Sequence, residues 1–223
     1  MPDEDFQAAV DELRKLDRAG FDAKALSKKL SKGRRDLLYA IIQGDLRIDP
    51  YTQIDVQLFA LKALRGQRYT LKPGCGHPAT DAPHTEYDPA KNGENVLKHG
   101  LSFADVTLSE TFGTVVVPAP DKDDGERLVI FSTLDVGRNA KYLTLPLPDN
   151  TNVIYTLTIA KQVGFKFRLI SSRRVSPDDL QSDLKRAIRT HHLSEDEMTG
   201  FVGHCTARIE QLLAPRVQRG NST

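Results

Sequence analysis

The stretch EYDPAKNGENVLKHGLSFAD, residues 86–105, carries both the start and the stop signal of a helix. Asp88 is a good N-cap residue, and Pro89 suits the first helical position, where no backbone N–H is needed. Gly100 tolerates the left-handed conformation that ends a helix, so the spacing predicts about three turns between the two signals. Lys91, Asn95, Lys98 and His99 share or border one polar face at spacings of three and four. That face is cationic and rich in hydrogen-bonding groups. A Lys-His pair in a last turn has a plain use, satisfying terminal carbonyls, but it also places a group that titrates near neutrality among lysines.

Toward the N-terminus the chain reads as helical. Phe6, Val10, Leu13 and Leu16 recur at helical spacing behind acidic residues and stop at Gly20. A second helix is expected from Asp22, with Ala25, Leu26 and Leu30 inward. A third carries Leu37, Leu38, Ile41 and Ile42 to Gly44. A fourth starts at Asp49-Pro50 with Ile54, Leu58, Leu61 and Leu64 as its stripe. The expectation is a small all-α domain over 1–71, then a linker over 72–85, where Pro73, Gly74, Gly76, Pro78 and Pro83 interrupt any apolar period.

Toward the C-terminus the period changes from helix to strand. VVVP (115–118), ERLVIFS from Glu126, TNVIYTLTIAK from Thr151 and FKFRLISSRRV from Phe165 are enriched in β-branched and aromatic residues. They predict an antiparallel sheet with flanking helices, hence an α+β domain over 86–215. DVGRNAKYLTLPLPDN (135–150) is expected as an insertion, followed by a helix from Ser176-Pro177 and a last helix from Ser194. No internal repeat is present. Simple alternation along FKFRLISSRR places Arg168, Ser172 and Arg174 on one face and Arg173 on the other.

The 223 residues are 39% hydrophobic and 27% charged, enough for a proper core. No basic-then-apolar leader and no spanning run of about 18 apolar residues is found, so a cytoplasmic protein with no membrane partner is expected. Cys75 and Cys205 give no disulfide framework. A net charge of +1 points to no partner, so any nucleic-acid footprint has to come from local clustering.

The order Asp88, Lys91, Asn95, Lys98, His99, Gly100 and Phe103, then Glu126-Arg127, then Arg168 and Ser172-Arg173-Arg174, resembles the BrnT family of type II toxin ribonucleases over about residues 84–190. The resemblance implies a RelE/ParE-like fold, metal-independent RNA cleavage without a cofactor, and a protein antitoxin as partner. Tyr87 stands where that family usually has tryptophan, and Asp179-Leu180 where it tends to have glutamate and arginines. Such cleavage needs a base for the 2′-hydroxyl proton, cations for the phosphorus oxygens and an acid for the leaving oxygen. The residues that fit are His99, Glu126, Arg168 and Arg174 for catalysis, with Lys91, Lys98, Arg127 and Arg173 for RNA binding. Arginine's planar fork suits phosphate.

Between Lys24 and Arg35 no acidic residue separates Lys28, Lys29, Lys32, Arg34 and Arg35. This run is a candidate nucleic-acid patch. Residues 22–64 also have a loosely helix-turn-helix layout, which would make DNA a further partner, whereas burial of Leu37, Leu38, Ile41 and Ile42 would make the segment a docking module. A catalytically inactive toxin-fold protein that binds nucleic acid or a protein partner is the alternative to the enzyme. Cys75, His77 and His84 lack the four regular ligands of a structural zinc site, so no metal is expected.

Overall fold

The computed structural model describes residues 4–22, 24–107, 115–118, 127–135, 153–175, 179, 181–182, 185 and 194–217. Helix α1 (Glu4–Arg14) buries Phe6, Val10 and Leu13. Two single turns follow. In α2 (Arg18–Phe21) the Asp17 carboxylate caps by accepting from the Gly20 N–H, and α3 (Lys24–Ser27) replaces the longer helix expected from Asp22. Leu26 and Leu30 are buried all the same, so the apolar spacing was satisfied by a turn. Helix α4 (Lys32–Gln43) ends at Gly44, with φ 85°. Helix α5 (Pro50–Arg65) is capped by Asp49, which accepts from the Tyr51 and Thr52 N–H groups, and ends at Gly66, with φ 68°.

The stretch read as a linker is built around polar groups. Asp81 accepts from Gly74 N–H at 2.8 Å and from Gly76 N–H at 2.5 Å, and Lys166 donates to the Ala82 carbonyl at 2.8 Å. It contains the turn α6 (Pro78–Asp81) and the start of strand β1 (Thr85–Tyr87). Such order needs no apolar period, which is why the period is absent.

Helix α7 (Pro89–His99) and the short α8 (Phe103–Thr107) come next. The strands β2 (Val115–Pro118), β3 (Leu128–Asp135), β4 (Val153–Val163) and β5 (Lys166–Val175) then form the sheet, and α9 (Glu195–Val217) closes the described chain. Ser194 and Glu197 form a reciprocal capping box at the start of α9. The molecule is α+β. Its described strands run in the order β1-β5-β4-β3-β2, and β1 is parallel to β5 while the other pairs are antiparallel. The sheet is therefore mixed, where an antiparallel one was expected, because the three residues of β1 carry no strand signature of their own. Most of the 135–150 insertion, Glu126 and the helix expected from Ser176-Pro177 lie outside the described residues or are described only at isolated positions.

One face of the sheet carries Tyr87, Leu169 and Ala160, packed with Phe103 and Ala79, and also Leu134 and Ile154, packed with Leu101 and Val106. The opposite face carries Val129, Phe131, Leu157 and Val175, covered by Val202 and Cys205 of α9. Helix α7 sits between the first face and the N-terminal helices. Ala90, Val96 and Leu97 lie in the same core as Val56, Phe59 and Leu61 of α5 and the buried residues of α1 and α4. Helix α7, placed by the sequence reading in the 86–215 segment, thus shares a core with the N-terminal helices.

The join between α5 and α7 is close. A Cβ on Gly93 would stand 2.2 Å from the Asp55 carbonyl oxygen and 2.8 Å from the Val56 Cα, so only glycine fits. Beside it, Asn92 donates to Asp55 Oδ2 at 2.6 Å and accepts from the Phe103 N–H at 2.7 Å. Asp55 Oδ1 faces His77 Nε2 at 3.3 Å, and His77 Nδ1 accepts from the Ala79 N–H at 3.1 Å. Acceptance at Nδ1 puts the ring proton on Nε2, which also lies 3.3 Å from the Tyr51 carbonyl, its hydrogen-bond acceptor. Burial, only partly offset by these donors, raises the Asp55 pKa to about 6.

Replacing Gly93 with Ala forces backbone apart at this crossing. It is expected to lower stability by about 1–3 kcal/mol or more, read as a fall in the urea midpoint; an unchanged midpoint contradicts the close approach. The raised Asp55 pKa has its own consequence. Its contribution is fully present below the unfolded value near 4 and is lost as pH rises through about 6. Asp55→Asn should therefore flatten a stability decline of roughly 3 kcal/mol between about pH 4 and 7, measured by urea unfolding across pH.

Candidate nucleic-acid interface

Helix α7 is as its terminal residues predict. Asp88 accepts from the Ala90 and Lys91 N–H groups, Pro89 takes the first position, and Gly100 ends the helix at φ 75°. Its faces divide the work. Asn95, expected on an exposed polar face, is buried: Nδ2 donates to the Leu101 carbonyl and Oδ1 accepts from the Ser172 N–H, both at 2.8 Å. Glu94, its side chain 12% exposed, accepts from Lys91 at 3.0 Å and from Lys98 at 2.6 Å. Both lysines are thus already paired, which lessens their reach for phosphate.

The Ser172 contact marks an irregularity in β5. Ile159 opposes Ser171 while Ala160 opposes Leu169, leaving Ile170 without a partner on β4. This is a β-bulge, and it shifts the alternation by one. Opposed residues share a face, so Leu169, Ser172 and Arg174 line the face that α7 and α8 cover, with Thr158 and Thr156 opposite the last two. Arg168 and Arg173 fall on the other face. The pairing of Arg168 with Arg174 by simple alternation is therefore corrected: the bulge puts them on opposite sides. Arg168 is also engaged elsewhere, its Nε donating to Glu86 Oε1 at 2.7 Å across the β1–β5 pair.

What α7 and β5 do bring together is His99 and the end of β5. His99 is half-buried in the last turn of α7. Burial first, then the positive charges of Lys98, Arg173 and Arg34, hold its pKa below the ordinary histidine value, against a smaller opposing pull from Glu94. The imidazole is thereby biased toward its neutral, proton-accepting form. Arg174, half-buried, has a buried Nε that finds no acceptor among the described residues, and burial and then the charge of Arg34 depress its pKa. A guanidinium with a donor left over can hold an anion, and a neutral imidazole can accept a proton.

The remaining expected residues spread out. Arg127 is half-buried just before β3, and Glu126 lies outside the described residues. In the N-terminal basic run Lys28, Lys29 and Lys32 are exposed, with Lys29 Nζ 5.7 Å from the centre of the Phe59 ring. Arg35 is a structural residue, donating to Asp22 at 2.8 Å and to the Leu30 carbonyl at 2.9 Å. Arg34 is half-buried, and its positive charge acts on both His99 and Arg174. Leu38, Ile41 and Ile42 of α4 are fully buried, so the helix proposed for a DNA groove spends its apolar face on the core. His77 serves the α5–α7 lock, and no cluster of three metal-ligating side chains occurs among the described residues.

Sequence reasoning missed the buried roles of Asn95, Asn92 and Asp55. The bulge had a signal: strict alternation in FKFRL breaks at the adjacent apolar pair Leu169-Ile170. Among the described residues no helix is long and apolar enough to cross a membrane. No protein-family model matches the chain, and no curated protein matches it.

Proposed function

We propose that the chain is a BrnT-like toxin endoribonuclease of RelE/ParE-like fold, cleaving RNA without a metal and held in check by a protein antitoxin. The observation that carries this reading is the half-buried Arg174, whose Nε donor meets no acceptor among the described residues, on the β5 face that α7 covers, the same helix whose last turn holds the proton-accepting His99. The order of α7, sheet and C-terminal helix, together with the sequence resemblance, supports it. Arg174 grips the scissile phosphate and takes up the negative charge that grows on its oxygens. Neutral His99 accepts the 2′-hydroxyl proton as that oxygen attacks phosphorus, and the bond to the 5′-oxygen breaks with a 2′,3′-cyclic phosphate left behind. The departing 5′-oxygen takes its proton from water; Glu126, the alternative base, lies outside the described residues.

The pairing of Lys91, Lys98 and Arg168 with carboxylates favours a second reading, a toxin-fold protein that binds nucleic acid or a protein partner without cleaving. Cleavage of RNA in the presence of a chelator separates the two. His99→Gln should lower the cleavage rate by about 10²-fold to 10⁴-fold while leaving the melting temperature nearly unchanged. Arg174→Ala should cost about 10²-fold to 10³-fold through lost charge stabilisation. In the wild type the acidic limb of the pH–rate profile should fall below the ordinary histidine value, because the cations and burial favour neutral His99. Full activity in both variants would falsify this assignment, and a wild-type protein that binds RNA but leaves it intact selects the second reading.

A further inference from the structure

A cavity of about 340 Å³ lies where the last turns of α5, the segment 67–71 and the junction of β1 with α7 meet. Its volume falls within the range of about 300–1,000 Å³ that small-molecule sites occupy. Leu58 and Ala90 give it an apolar lining, both at most 9% exposed. The segment 67–71 forms a wall without helix or strand, yet it is pinned. The Gln67 N–H donates to the Leu61 carbonyl at 3.3 Å, the Tyr69 ring meets the Phe6 ring edge-on with centroids 5.5 Å apart, and Leu71 packs on the core.

The polar groups of this lining are unevenly engaged. Lys62 and Asp88 neutralise one another at 3.1 Å. Arg68, exposed, has no hydrogen-bond or ionic partner among the described residues, so the charge left over on the lining is its own. Tyr87 also lines the cavity. Its ring is held edge-on by those of Phe103 and His77, with centroids at 5.3 and 6.4 Å, yet its hydroxyl has no hydrogen-bond partner among the described residues. Burial first, then the carboxylates of Asp55, Asp49 and Asp105, push its pKa up, so the hydroxyl keeps its proton and can donate. A phenol buried to this degree is normally hydrogen-bonded, and the cavity is where an acceptor can reach it.

The occupant therefore has a flat body for the apolar lining, an acceptor for Tyr87 and a negative charge for Arg68. A nucleoside monophosphate has all of these. Bases stack on phenol rings, a glutamine amide such as that of Gln67 matches a base edge, and the guanidinium fork suits phosphate. We propose that this cavity binds a mononucleotide, with the base against Tyr69 and Tyr87 and the phosphate on Arg68. The site stands at the start of α7 and His99 at its end, about 15 Å apart along the helix, so it does not rest on the ribonuclease reading. The same chemistry is offered by a free nucleotide and by one unit of an RNA strand.

The test uses the full chain. Isothermal titration with AMP, GMP, CMP and UMP and with their nucleosides reads affinity, and backbone amide shifts locate the ligand. The wild type should bind at least one monophosphate with Kd below about 1 mM, moving the signals of Gln67, Arg68, Tyr69 and Tyr87. Arg68→Ala should weaken the monophosphate about tenfold and leave the nucleoside unchanged. Tyr87→Phe, which removes only the hydroxyl, should weaken both alike, about tenfold. Should Tyr87→Phe not fold, the exposed Arg68 carries the test alone. Arg174→Ala should bind the monophosphate as the wild type does.

No binding of any monophosphate at about 1 mM overturns the proposal. So does affinity lost in Arg174→Ala and kept in Arg68→Ala, which puts the nucleotide at the face proposed for cleavage and leaves the ribonuclease reading standing. A 2′-O-methyl RNA oligonucleotide then separates the two sources. Displacement of the monophosphate by RNA, with weaker RNA binding in Arg68→Ala, supports the cavity as a subsite for one unit of the strand. A wild type that binds the monophosphate and ignores RNA supports it as a free-nucleotide site, and the ribonuclease reading falls.

Discussion

The structure depends on one contact, the crossing of α5 and α7 at Gly93. With the Asp55 carbonyl where a Cβ would be, the two backbones approach as closely as glycine allows. That approach brings Asn92 into reach of the buried Asp55 carboxylate, and through Asn92 it fixes the Phe103 N–H that begins α8. Three residues further along α7, Asn95 repeats the device toward Leu101 and the bulged β5. One helix therefore registers the N-terminal helices against the sheet. The buried polar bonds add direction to a contact that apolar packing alone would leave free to slide.

Function follows from that registration. His99 is the last residue of α7, so whatever sets the axial position of the helix sets the position of the imidazole. The bulge at Ile170 moves Arg174 to the face that α7 covers and sends Arg168 to the opposite one, where Glu86 neutralises it. The charge of Arg34, on the helix α4 that packs against α7, acts on both His99 and Arg174, and burial gives it more weight than it would have in water.

Much of this was legible where the chemistry is local. Asp49-Pro50 with Gly66, and Asp88-Pro89 with Gly100, delimit helices because cap and stop depend on neighbours a few residues away. The longer strands were legible from composition. What the sequence hides is long-range. Asn95 looks like a surface residue until its partners at 101 and 172 are known, and Asp55 looks like one more helical carboxylate. Arg35 is indistinguishable from its neighbours in a basic run, yet it is bound to Asp22 and to the Leu30 carbonyl. The face of Arg174 turned on a single extra residue, which period-two counting passes over although Leu169-Ile170 interrupts the pattern.

The central claim is that the unmet Nε–H of Arg174 is where the phosphate of bound RNA sits. Nuclear magnetic resonance of the arginine Nε–Hε groups tests this directly, with uniformly labelled protein and the Arg174 signal assigned by its absence in Arg174→Lys. On addition of non-cleavable RNA, the account predicts a large downfield shift of the Arg174 Hε and slower exchange with water, as a charge-assisted hydrogen bond forms. An Arg174 signal that stays in place while RNA binds and shifts other arginines would contradict it.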